Sequence, residues 1–365
     1  MSLLPPLNRT HYAWDCLALG EIMLRFDPGE GRIHTTRQFA VWEGGGEYNV
    51  VRGLRRCFGL RTAVATAFAD NPVGRLVEDL VLQGGVDTSL IRWLPYDGVG
   101  RAARNGLYFL ERGFGQRPGV ACFDRGHTAI AQVKPGDFDW TAIFAQGVRW
   151  FHTGGIFAGL SATSPQVALE AIRAARAAGT IVSFDLNYRD SLWREFGGNA
   201  EATRVNQQLV REVDVLIGGE EDFRERLGIP ITVSPTKSSG PMPLEGWDHL
   251  LREVAGAYPN LKVIAATRRT VTSSMHNTWG GVVHSQGQTI EVPLRPIEIL
   301  DRVGGGDSFA SGFIYGLLQN QPLEWALRCG VAHGMLTMTT PGDASMVTLA
   351  EVEHAMADGS IRMRR

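Results

Sequence analysis

Apolar positions along the chain fall into two rhythms. Short runs such as WDCLAL at 14–19, RTAVATAFA, VRWFHTGG, TIVSFDLN, VDVLIGG and LKVIAATRR read as strands, most of them closing on glycine or polar residues. Between them stand helical patterns. Val50, Leu54 and Phe58 recur at four-residue steps, NPVGRLVEDLVLQGG ends on glycine, and SPQVALEAIRAARAAG is amphipathic with a glycine stop. From about residue 140 strand and helix alternate, which predicts a mostly parallel sheet covered on both faces. Two islands, 22–43 and 99–128, have another texture. They mix polar and apolar residues in strand-like pieces, including GLYFLE and GVACFDR, and are expected to pair as a small sheet outside the main layers. Residues 234–243, SPTKSSGPMP, read as a surface loop.

Composition narrows the class. The chain has 365 residues, 44 % of them hydrophobic, and 44 glycines scattered without a period, which suits an α/β protein with many tight turns. A net charge of −2 argues against a nucleic-acid-coating surface. Cys16, Cys57, Cys122 and Cys329 form no CxxC pair, so structural zinc and a disulfide framework are not expected. There is no apolar run of membrane-spanning length and no signal-peptide pattern at the N-terminus, and a cytoplasmic protein with no membrane partner is the expectation.

The chemistry concentrates where candidate strands end, the place where open α/β sheets bind ligands. DRVGGGDSFASGF at 301–313 joins Gly304, Gly305 and Gly306 to Asp307 and then to a helical pattern of Phe309, Phe313 and Leu317. A glycine turn feeding a helix start presents unpaired N–H groups to an anion, and Asp307 is placed to take a proton from a hydroxyl; the plain alternative is a helix cap. Arg189 in DLNYR can pair with a carboxylate or phosphate, or with a structural acid. Glu220, Glu221 and Asp222 can hold Mg²⁺ through water, or simply complement a helix dipole. Arg104, Tyr108, Arg117 and Arg125 enrich the second island in hydrogen-bonding groups, and RRT at 268–270 is either a phosphate contact or a surface turn. His152 and His333 lack ligand-spaced partners and are read as structural. No P-loop and no G-x-G-x-x-G is present.

DRVGGGDSFASG resembles the C-terminal signature of the ribokinase-like (PfkB) carbohydrate kinases, and WEGGGEYNVVRGLRR at 42–56 resembles their N-terminal glycine signature. GEIMLRFDP, SFDLNYRDSLW and LIGGEEDF are similar to the 2-keto-3-deoxygluconate kinase branch. The resemblance implies a three-layer α/β/α domain over 13–21, 44–98 and 129–350, a β lid from 22–43 and 99–128, and a tail from 351. It implies Asp307 as catalytic base and Gly304–Gly306 as anion hole. It puts Gly45 and Asn49 on a sugar acid, with Tyr108, Phe123, Arg125 and Arg189 around it. ATP is implied near Thr267, Arg268 and the 304–312 loop, with Mg²⁺ bridging phosphates and reached by Glu221 and Asp222 through water at most. A homodimer through the lid is implied as well. Three departures stand out: Arg302 and Val303 replace a threonine-containing step, Gly219 and Asp222 stand where N-x-x-E is usual, and Phe123 stands where the branch tends to have tyrosine. Readings carried alongside are a kinase of a neutral sugar or nucleoside and a non-catalytic kinase-like module.

Overall fold

The computed structural model describes Leu4, residues 11–229 and residues 240–357. The chain opens with β1 (Trp14–Leu19), β2 (Met23–Asp27), β3 (Ala40–Gly44), α1 (Gly46–Arg56), β4 (Thr62–Ala69), α2 (Pro72–Gln83) and β5 (Ile91–Leu94). It continues through β6 (Gly106–Glu111), β7 (Val120–Asp124), α3 (Trp140–Ala145), β8 (Val148–Gly154), α4 (Gly155–Ala158), α5 (Ser164–Ala177), β9 (Ile181–Asp185), α6 (Asp190–Trp193) and α7 (Gly198–Val210). The last part holds β10 (Val215–Gly218), α8 (Glu220–Glu225), α9 (Leu244–Ala257), β11 (Val263–Val271), β12 (His276–Ser285), β13 (Gln288–Glu298), α10 (Gly305–Leu318), α11 (Leu323–Thr337) and α12 (Leu349–Met356).

Nine strands form one sheet in the order β13-β12-β11-β10-β9-β8-β1-β4-β5, parallel from β11 to β5. Side-chain alternation feeds two cores. Leu17 and Leu19 of β1 pack with the helices on one face, while Cys16 and Ala18 pack with α1, α10 and α11 on the other. That is the three-layer arrangement expected from the apolar runs. The two islands do pair, as a four-stranded sheet β3-β2-β6-β7 in which β2 and β6 run parallel. No helix among the described residues is long and apolar enough to cross a membrane.

Three features differ from expectation. Residues 276–298 form an antiparallel hairpin, β12–β13, between LKVIAATRR and the glycine loop, a stretch to which the sequence pattern assigns no element. Its turn, Gln286–Gly287, has φ of 50° and 76°, the positive pair a two-residue hairpin needs. The expected tail from 351 opens inside α12, where Thr348 and Glu351 form a reciprocal cap and Val352 is buried. Gly305 and Gly306, expected before the helix, lie in its first turn. The loop expected over 234–243 falls largely outside the described residues.

Candidate functional site

A cleft of about 1060 Å³ lies between the small sheet and the carboxyl ends of β8 to β11. Gly45, Asn49, Tyr108, Phe123, Arg125, Arg189, Thr267, Arg268 and the Gly304–Asp307 turn border it, with Glu221 and Asp222, whereas Arg104 and Arg117 lie outside it, paired with Asp124 and Glu111.

At its base the chain turns sharply into α10. Gly304 caps the helix with φ 80°, a left-handed conformation costly for any residue with a Cβ, and a methyl group there would overlap the carbonyl oxygen of Asp343. Gly306 has nothing near the position of a Cβ and opens onto the cleft. The early N–H groups of a 14-residue helix therefore face the cavity, a ready anion site. Asp307 stands in that first turn. Burial pushes its carboxyl up to about 6, against the hydrogen bond from Asn49 Nδ2 to Oδ2 at 2.7 Å; the charge of Asp343 adds to the rise and Arg189 opposes it.

Two more carboxyls crowd this floor. Glu47 on α1 accepts from the Phe157 N–H at 3.1 Å, but its Oε2 is buried without a partner, and burial lifts it to about 7. Asp185, at the end of β9, is raised by burial first and then by the charges of Asp307 and Asp222. Among the described residues no group of three acids, histidines or cysteines could cage a metal ion by itself. The Asp222 carboxylate caps its own helix, accepting from the Gly219 N–H at 3.0 Å, and the Glu221 side chain is 75 % exposed beside Arg226. This donor set fits an Mg²⁺ carried chiefly by a ligand's phosphates and does not fit a protein-built cage.

Opposite the acids stand three arginines, Arg189, Arg269 and Arg302, all bordering the cleft and none in an ion pair among the described residues. Solvent reaches Arg269, yet the protein crowded around it, with Arg302 and Arg189 behind, holds its guanidinium down to about 10. This cationic cluster faces an acid-rich floor, which gives the cleft two electrostatic ends.

The model of the pfkB family carbohydrate kinases matches residues 15–349. The chain belongs to that family. It is 36 % identical to the crystal structure of 2-dehydro-3-deoxygluconokinase from Thermotoga maritima, with a TM-score of 0.85 over 94 % of this chain and 99 % of the other. It is 30 % identical over 352 residues to 2-dehydro-3-deoxygalactonokinase of Haloferax volcanii, covering 96 % of this chain and 99 % of that one. A 5-dehydro-2-deoxygluconokinase of Shouchella clausii is 26 % identical over 345 residues, 93 % of this chain and 94 % of its own.

Within this carbohydrate kinase several side chains expected to be free are engaged. Arg268, expected at ATP, is buried, with its guanidinium on Glu291 of β13 and on the Met242 carbonyl at 2.7 Å. The unnoticed hairpin supplies that acid, and the uncommitted charge falls to Arg269. Arg125 pairs with Glu21, which also accepts from Thr128 Oγ1 at 2.6 Å. Tyr108 donates to Asp343 and stacks on Phe123, their ring centroids 5.4 Å apart. Among the described residues Arg189 donates to the neighbouring Tyr188 carbonyl alone, at 2.9 Å. Gly45 is closed in by the Glu21 carbonyl. His152 and His333 are buried within the kinase, on Ser183 and on Ser308 and Ser345. Asp343 escaped the sequence reading; its local signal, a PGD turn after a buried helix, says nothing of the cleft.

Proposed function

We propose that this kinase transfers the γ-phosphoryl group of ATP to a primary hydroxyl of a sugar acid, with 2-keto-3-deoxygluconate, giving its 6-phosphate, as the first candidate. One observation carries the reading. A carboxyl tuned to about 6 is seated in the first turn of a cleft-facing helix, with an uncommitted arginine, Arg189, in the same cavity. The relatives named as 2-dehydro-3-deoxygluconokinase and 2-dehydro-3-deoxygalactonokinase support the substrate class.

In this reading Asp307 accepts the hydroxyl proton as the sugar oxygen bonds to the γ-phosphorus and the bond to the ADP oxygen breaks. The N–H groups of Gly305 and Gly306, with Arg269 and Arg302, stabilise charge on the phosphoryl oxygens, and Thr267 lies along the nucleotide. Glu221 and Asp222 are the residues that would hold an Mg²⁺ through water, and the ion would supply neutralisation of phosphate charge. Gly45 and Asn49 meet the sugar, Tyr108 and Phe123 wall it, and Arg189 takes its carboxylate. The small sheet serves as a lid and, through its exposed β7, as the face for a second copy. Four unpaired cysteines suit a cytoplasmic setting.

The pairing of Arg125 with Glu21 favours a second reading, a neutral sugar, because one of the two arginines available for a carboxylate is already neutralised. ADP formation with MgATP across 2-keto-3-deoxygluconate, 2-keto-3-deoxygalactonate, 5-keto-2-deoxygluconate, gluconate, fructose and ribose tests both. Turnover confined to the keto-deoxy acids supports the first reading. Turnover with fructose or ribose instead overturns it in favour of the second.

A further inference from the structure

The small sheet sends one fully buried cation into the main domain. Arg25, at the middle of β2, has no exposed surface, and its guanidinium meets three carboxylates. Nη1 donates to Asp343 Oδ1 at 2.8 Å, while Nη2 donates to Asp27 Oδ2 at 3.0 Å and to Asp301 Oδ2. Tyr108 stands opposite Arg25 in the β2–β6 register and donates to the second oxygen of Asp343. Both oxygens of Asp343 are thus held from the small sheet.

The two acids of the main domain are tied to the glycine turn. Asp301 accepts from the Val303 N–H at 3.4 Å on one oxygen and from the Gly342 N–H at 3.2 Å on the other. The Asp343 carbonyl lies against Gly304 closely enough to forbid a Cβ there. Burying this much charge is expensive; three acids face Arg25, with Arg112 joining Asp27 at 3.6 Å, and Arg25 Nε finds no partner. An apolar contact would join two sheets at lower cost. Only a fork-shaped cation can grip two carboxylates from different loops at once.

We propose that Arg25 is a positioning residue for phosphoryl transfer, making the shape of the Gly304–Gly306 turn and the field at Asp307 depend on the small sheet being seated. The groups facing Asp307 are Asn49 and Glu47 from α1, Asp185 from β9, Arg189 beyond it, and Asp343. Of these, Asp343 is the one that Arg25 contacts; burial pushes the Asp343 carboxyl up and Arg25 opposes that rise, so removing Arg25 favours the protonated form of Asp343 and changes the field at the base.

The test compares Arg25→Lys and Arg25→Met with the wild type, using whichever sugar acid the wild type phosphorylates. The inference rests on the kinase reading, and wild-type turnover separates failure of that reading from failure of this one. Lys keeps the charge but cannot hold both carboxylates: kcat is expected to fall about tenfold, KM for ATP and sugar to stay within about threefold, and the acid limb of kcat to stay in place. Met is expected to cost kcat about 100-fold and to move the acid limb to lower pH, because Asp343 without its cation takes up a proton and no longer adds to the rise of Asp307. In both variants peptides covering 301–306 are expected to exchange amide hydrogen faster than in the wild type. Wild-type kcat in Arg25→Lys, a loss confined to KM, an unmoved acid limb in Arg25→Met, or unchanged exchange at 301–306 overturns the proposal. If Arg25→Met does not fold, Arg25→Lys decides by kcat and exchange. If no sugar acid is turned over, exchange alone decides.

Discussion

Asn49 Nδ2 donates to Asp307 Oδ2 at 2.7 Å across 258 positions of sequence, joining the first helix of the main domain to the glycine turn. This bond favours the charged carboxylate and works against the burial that raises Asp307 to about 6. Asn49→Ala removes the donor, so the carboxyl rises further. A hydrogen bond to a charged group contributes roughly 1.5 kcal/mol or more, about one pKa unit. The acid limb of kcat/KM for the sugar is expected near pH 6 in the wild type and about one unit higher in Asn49→Ala. A pH–rate profile of both proteins checks the direction; a limb that stays or moves down is inconsistent with Asp307 as the base.

Gly304 and Gly306 separate conformation from chemistry. Gly304→Ala meets both a left-handed φ and the Asp343 carbonyl, so stability should fall by about 2 kcal/mol or more. Gly306→Ala meets nothing and sits in a helix, so thermal unfolding should stay within about 1 kcal/mol of the wild type. Its methyl group nevertheless projects where the phosphoryl group is to sit, and kcat is expected to drop at least about tenfold. Full activity in a folded Gly306→Ala protein puts the reacting phosphate elsewhere.

Glu47 ties stability to pH. Its folded carboxyl is raised to about 7 from a reference of 4.5, so the fold binds that proton more tightly than the unfolded chain does. The group costs nothing below about pH 4.5, where both states are protonated. Its penalty grows up to about pH 7 and is constant above, reaching about 3 kcal/mol. Glu47→Gln keeps an oxygen for the Phe157 N–H and loses the charge. Denaturant melts should therefore show the variant more stable than wild type at pH 8 and equal to it near pH 4.5. A variant less stable at pH 8 contradicts the buried, uncompensated charge.

The three uncommitted arginines should divide between the two substrates. Arg189→Ala is expected to raise KM for the sugar acid 10- to 100-fold, from the roughly 1.5–3 kcal/mol of a charge-assisted bond, and to leave a neutral analogue unaffected. Arg269→Ala and Arg302→Ala are expected to raise KM for ATP and leave that for the sugar unchanged, with a smaller effect at high salt. The reverse pattern in initial-rate measurements exchanges the two ends of the cleft.

Long-range contacts mark the limit of what the sequence discloses. Apolar runs such as WDCLAL revealed the parallel strands because burial on both faces leaves no polar alternation. DRVGGGD announced the helix start because glycine and aspartate there have few other uses. Residues 276–298 escaped because Gly280, Gly281, Pro293 and Pro296 interrupt runs that otherwise alternate as strands should, and the Glu291 that captures Arg268 escaped with them. Asp343 meets Arg25 across 318 positions and Tyr108 across 235, a convergence that no local pattern encodes. The engaged state of Arg125 escaped for the same reason, since Glu21 is 104 positions away.

The most direct measurement is turnover by Asp307→Asn beside the wild type, with MgATP and 2-keto-3-deoxygluconate at pH 7.5. Asn keeps the shape of the side chain and its contact with Asn49 but cannot take a proton. The account predicts a kcat lower by about 100- to 10,000-fold with both KM values nearly unchanged. A folded Asp307→Asn protein within tenfold of the wild-type kcat contradicts it.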